Sequence, residues 1–201
     1  LPAAFETMIA NGLPTTVADC LKLRREFIHS RSRLEFFDAL VSFLAPNQPQ
    51  LAQLGLEKYL SFLAQTEISI PLHVHEMLRN LQLYHSQFLV TAGNPERQNN
   101  KIDRLKIRSY FEHAYCVDTR TGATKRDNFF KIAQALQTSS ERVLCIGNRI
   151  DLELCEAKDL GFKTCLVRTG EYRDLVPNSW REEPDFVIDS VDEVAELCKI
   201  Q

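Results

Sequence analysis

The stretch from Arg142 to Val167, RVLCIGNRIDLELCEAKDLGFKTCLV, constrains the fold more than any other part of the chain. An apolar run stops abruptly at Gly147, and a polar, acidic cluster follows with Asn148, Arg149, Asp151 and Glu153. A helix-like pattern then leads to Gly161 and a second apolar run. Strand, loop, helix and strand in that order make a parallel crossover, because a tight hairpin cannot join parallel strands. The loop then lies at the carboxyl end of its strand, where open α/β sheets hold their ligands.

The same alternation runs from Pro71 onward. QFLVTAG, HAYCVD and DFVID read as further short strands, and PLHVHEMLRNLQLYH, NPERQNNKIDRLKI, KRDNFFKIAQALQ and SVDEVAELCKI as helices. Short apolar strands alternating with helices predict an α/β fold, its parallel sheet covered on both faces. Before about residue 70 the pattern is helical throughout. Leu1, Phe5, Met8 and Ile9 recur at helical spacing up to Gly12 and Pro14, a long segment from Thr15 divides into two helices, and LAQLGLEKYLSFLAQ forms another. A helical unit over residues 1–70 and an α/β unit over 71–201 are therefore expected.

Composition narrows the function classes. At 44% hydrophobic and 25% charged, the chain has the make-up of an ordinary globular protein. A formal charge of −3 gives no electrostatic footprint for nucleic acid, and no apolar run is long enough for a membrane helix. None of the six cysteines forms a C-x-x-C pair, which predicts free thiols in a reducing, cytoplasmic setting. The opening LPAAFETM has neither an initiator methionine nor the charged start of a signal peptide, the signature of a fragment or processed chain. Oligomeric state is not legible.

Three strand ends carry chemistry: Thr91-Ala92-Gly93-Asn94, Gly122 to Lys125, and Asn148 to Glu153. A hydroxyl, a cation and a set of oxygen ligands on separate connections could converge on one anion. Each has a plainer reading. Thr91 suits a turn, Lys125 a solvated helix start, Asn148 a helix cap, and Asp151 and Glu153 the positive end of a helix. His73 and His75 stand two apart on a helix and share no face, so a structural role is expected for both. Arg25, His29 and Arg33 form a solvated stripe, Trp180 is expected to pack its loop onto the sheet, and Tyr172 has no assignable role.

With these residues in view, the chain resembles the haloacid dehalogenase superfamily of hydrolases. FLVTAGN is similar to its second motif, TGATKRDNFF to its third and VLCIGNRIDLELCEAKDLGFKTCLV to its fourth, with Lys125 preceding Gly147 by 22 residues. The resemblance covers residues 71–201 and implies a doubly wound, Rossmann-type core, with residues 1–70 as an all-helical cap. It implies a phosphatase in which an Asp attacks phosphorus and forms a phosphoaspartate. Thr91, with the backbone at Ala92 and Gly93, would bind the phosphoryl oxygens of a small phosphorylated substrate. Lys125 would neutralise charge, and Asn148, Asp151 or Glu153 would serve Mg2+.

Two departures bear on that expectation. The superfamily's first motif, D-x-D-x-T, is missing, and Asp19 stands in a helical setting with no second Asp two residues on. A first core strand ending in D-x-D is therefore expected upstream of residue 1, since deleting a central strand leaves two apolar edges unpaired. Were that strand truly absent, a non-catalytic binding protein would result. At the second departure, Asn148 replaces the first metal-binding Asp, which weakens Mg2+ binding. The order Asn148 then Asp151 is also similar to the metal-free 2-haloacid dehalogenases, and carbon–halogen hydrolysis is the alternative activity.

Overall fold

Apolar side chains at helical spacing close the first part of the chain around a core of its own. The computed structural model describes residues 1–27, 33–65 and 67–199, and the chain divides into two units, Leu1–Glu67 and Ile68–Gln201. The first contains α1 (Pro2–Ala10), α2 (Val17–Glu26), α3 (Arg33–Leu44) and α4 (Gln50–Gln65). Pro2 suits the first turn of α1, where a backbone N–H has no intrahelical partner. Thr16 caps α2, its hydroxyl accepting the Asp19 N–H at 3.1 Å, so Asp19 lies in a helical first turn as expected. Phe5, Met8, Phe36, Phe37 and Leu51 are essentially inaccessible, and the Phe5 ring meets Phe36 and Phe37 at 6.2 and 6.1 Å. Arg24 is buried among them, its guanidinium 5.6 Å from the Phe36 ring centre.

The second unit alternates helix and strand. In order it comprises α5 (Leu72–Gln82), β1 (Phe88–Ala92), α6 (Pro95–Arg104), β2 (His113–Val117), α7 (Lys125–Leu136) and β3 (Leu144–Gly147). A π-helical turn (Ile150–Leu154) runs into the short α8 (Cys155–Lys158), and β4 (Lys163–Val167), β5 (Phe186–Ile188) and α9 (Val194–Lys199) complete it. All pairing is parallel. Phe88 to Ala92 of β1 align with His113 to Val117 of β2, Leu144 to Gly147 of β3 with Lys163 to Leu166, and Cys165 to Val167 of β4 with Phe186 to Ile188.

Helices cover both faces. Phe129 and Ile132 of α7 and Ala157 of α8 pack on Phe88 and Val90 of β1 and Val143 and Cys145 at β3. On the other face, Met77 of α5 and Val194 of α9 pack on Cys165, Val167 and Ile188. The second unit is thus the doubly wound α/β fold that the alternation of apolar runs implies. Ladder pairing is interrupted at one place. Among the described residues β1 bonds only to β2, and β3 only to β4, although β1 and β3 share the layer of α7 and α8. Ile146 of β3 is 40% exposed.

Several expectations shift in detail. The loop after β3 enters a wide π turn rather than a regular helix start. Trp180 is 67% exposed and does not pack its loop down; Arg181 paired with Asp159, and Lys158 bound to the Glu183 carbonyl, hold that loop instead. All six cysteines are free, but only Cys20 and Cys165 are buried and the other four are half-buried. His73 and His75 do point apart, to Asp192 and to the Tyr110 hydroxyl, each at 3.1 Å. His29 lies outside the described residues. Among the described residues no helix is long and apolar enough to cross a membrane.

Candidate functional site

The chemistry-bearing residues of the second unit stand where its parallel strands end. At the end of β1, Thr91 is half-buried and its hydroxyl has no protein partner among the described residues. The turn behind it is firmly built. Gln98 donates its side-chain N–H to the Ala92 carbonyl at 3.0 Å, and Asn94 caps α6 by accepting the Arg97 N–H at 3.0 Å. Gly93 donates its own N–H to the Val117 carbonyl at 2.9 Å. Of the two backbone donors expected at this turn, that one is already used in extending the sheet.

Lys125 opens α7, which packs along β1. Burial of Phe129 and Ile132, four and seven residues on, fixes the helix against the sheet and so fixes where its first residue stands. The ammonium reaches Glu153 across the unit, Nζ to Oε2 at 3.1 Å, with both side chains nearly buried. Glu153 is the organising acid of the loop. Its other oxygen, Oε1, accepts the backbone N–H groups of Asn148 and Arg149 at 3.3 and 3.1 Å. The wide turn Ile150–Leu154 brings this carboxylate back beneath the residues that precede it. Gly147 makes room for it, since a Cβ there would lie 2.8 Å from Glu153 Cγ and Oε1.

The neighbouring residues take different partners. Asp151 accepts a bidentate pair of hydrogen bonds from Arg149, at 2.9 and 2.6 Å. Burial disfavours the Arg149 charge, but hydrogen bonding and attraction from Asp151 more than offset it and raise the guanidinium pKa. Asn148 donates its side-chain N–H to the Thr169 carbonyl at 3.3 Å rather than capping a helix. Glu156 of α8 lies beside the cluster, and burial raises its carboxyl above the ordinary range despite the Arg126 N–H and the Lys125 charge. The Cys145 thiol, beneath the loop, is pushed up to about 12 by burial first and then by Glu153. It is not a nucleophile near neutral pH.

The structure thus brings Lys125, Glu153 and the backbone of Asn148 and Arg149 into one hydrogen-bonded group, with Thr91 at the end of neighbouring β1. Tyr172 was without a role in the sequence, yet its ring centre lies 4.6 Å from the Arg149 guanidinium carbon. The oxygen donors, one amide carbonyl and two carboxylates, suit a hard cation in type. Both carboxylates already have cationic partners, and among the described residues no three His, Cys, Asp or Glu side chains form a metal cage. A cation here needs a further carboxylate.

Comparison with known proteins covers part of this region. Residues 121–194 match a family model described as HAD-hydrolase-like. A glyceraldehyde 3-phosphate phosphatase from Pyrococcus furiosus is 27% identical over 203 residues, covering 98% of this chain and 83% of its own. Among solved structures, magnesium-bound YfnB from Bacillus subtilis has a TM-score of 0.68 at 19% identity, over 97% of this chain and 89% of its own. A 2-haloacid dehalogenase from Pseudomonas syringae has a TM-score of 0.56 at 18% identity, over 99% and 91%. At these identities the structural likenesses carry the fold.

Proposed function

We propose that the chain is a hydrolase of the haloacid dehalogenase superfamily and, within it, a Mg2+-dependent phosphatase acting on a small phosphate monoester. The observation that carries the reading is the Lys125–Glu153 pair seated under the Asn148 and Arg149 amides at the end of β3. It presents a fixed ammonium beside a preorganised loop, which suits charge developing on a transferring phosphoryl group. The relative from Pyrococcus furiosus makes glyceraldehyde 3-phosphate the first substrate to try.

The nucleophile in this reading is an Asp on a strand preceding Leu1 and pairing between β1 and β3. Among the described residues β1 pairs only with β2 and β3 only with β4, which supports it. That Asp attacks phosphorus, the alcohol leaves with a proton from a second upstream Asp, and water then hydrolyses the phosphoaspartate. Thr91 and the backbone at Ala92 bind the phosphoryl oxygens, the Gly93 N–H being held by the Val117 carbonyl, and Lys125 offsets their charge and that of the nucleophile. Asn148 offers its side-chain oxygen to the metal, with Glu153 and Asp151 behind it. Mg2+, when bound, supplies the positive charge that draws phosphate and nucleophile together. The helical unit Leu1–Glu67 is the cap of such an enzyme and sets substrate choice.

The test is phosphate release by the intact protein, with and without Mg2+. Lys125→Ala is expected to lower turnover about 100- to 1,000-fold while the fold persists. The alternative, metal-free carbon–halogen hydrolysis, draws on one observation, the neutral amide at Asn148. Turnover of 2-haloacids that survives chelation would favour it.

A further inference from the structure

Two successive residues of the acidic loop are gripped by the turn that follows β4. Asn148 donates to the Thr169 carbonyl at 3.3 Å, and the Arg149 guanidinium lies over the Tyr172 ring at 4.6 Å while its fork engages Asp151. The turn is itself anchored. Leu175 packs against the buried cluster of Ile150, Leu154 and Leu166, and its N–H returns to the Tyr172 carbonyl at 3.1 Å. Gly170 lies between the two gripping residues at φ +70°, a left-handed conformation that favours glycine. Its missing Cβ would lie 3.7 Å from the Asn148 amide nitrogen, so turn and loop are in close approach.

We infer that Tyr172 and Arg149 are positioning residues: the ring, carried on the turn Gly170–Tyr172, clamps the Arg149–Asp151 pair and holds the loop bearing Asn148 and Glu153 in its working geometry. Neither residue touches substrate in this account. The clamp does two things. It removes freedom from Arg149, whose long side chain would otherwise have to be ordered each time the loop forms. It also orients Asn148, because a side-chain N–H committed to Thr169 leaves the amide oxygen facing the other way. The consequence for metal binding rests on the phosphatase reading above; the mechanical claim does not.

The experiment is residue-resolved amide exchange on the intact, metal-free protein, followed by Mg2+ titration calorimetry on the same samples. Tyr172→Leu removes the ring, and the Asn148 and Arg149 amides are expected to exchange about tenfold faster. Tyr172→Phe keeps the ring and should exchange within about twofold of wild type. Arg149→Lys keeps the charge but loses the fork and should resemble Tyr172→Leu. Unchanged exchange in both Tyr172→Leu and Arg149→Lys overturns the clamp. Where exchange shifts as expected, Tyr172→Leu should also weaken Mg2+ binding several-fold. A wild-type protein that binds no Mg2+ while its variants show the exchange shift would retain the clamp and sink the metal reading alone.

Discussion

At position 148 the chain carries an amide where a carboxylate would hold a hard cation more tightly. Asn148→Asp adds a charge but cannot donate to the Thr169 carbonyl, so it gains at the metal and loses a tether. The charge should dominate. Half-saturating Mg2+ is expected to fall about tenfold, read by titrating phosphate release and by calorimetry; no change would mean that Asn148 does not face the cation. Glu156 makes a second prediction at this scale. Its folded carboxyl lies above the ordinary value of 4.5, burial being the main cause. The native state therefore holds that proton more tightly than the unfolded chain. The cost to stability is absent below the ordinary value, grows as pH rises through it and is complete above the folded value. Glu156→Gln keeps an oxygen for the Arg126 N–H and removes the charge, so it should melt about 2–4 °C higher near pH 7.5. That gain should vanish under acid conditions where wild-type Glu156 is protonated in both states. An equal gain at every pH would point to packing, not charge.

The connection from β3 to α8 depends on one small residue. Gly147 leaves space for the Glu153 side chain, and Gly147→Ala would bring a methyl group to 2.8 Å from its Cγ and Oε1. The acid must then swing away from the Asn148 and Arg149 amides and from Lys125. Turnover should drop about 100-fold with circular dichroism unchanged, since a displacement of roughly 1 Å at a reacting group has effects of that size; activity near wild type would remove Glu153 from the centre of the site. The five strands were legible because apolar runs of strand length are bounded by glycine and polar turns, as in VLCIG before Asn148. The π turn was not. A period of 3.6 cannot signal that Glu153 bends back to serve its own loop, because its partners are the Asn148 and Arg149 amides and Lys125 of α7, which only the folded unit brings together. Spacing alone likewise left Asp151 and Glu153 equivalent; the structure separates them by giving one to Arg149 and the other to Lys125. Tyr172 was illegible for the same reason, since its partner lies 23 positions away and is reached only once β4 lies beside β3.

Across the whole chain, two units with separate cores follow the two composition regimes, one helical and one alternating. In the larger unit, Thr91 stands at the end of β1, and Asn148 lies in the loop after β3 that Lys125 and Glu153 hold together. The motif order made the resemblance to the hydrolase family legible, whereas D-x-D-x-T is not found in the 201 residues and the substrate is written nowhere in the helical third. The most direct measurement is phosphate release from glyceraldehyde 3-phosphate by the intact protein, in parallel with Lys125→Ala and with a chelated sample. The account predicts Mg2+-dependent turnover that collapses in both controls. Phosphate release indifferent to chelation and to Lys125, or no release from any phosphate monoester, would contradict it.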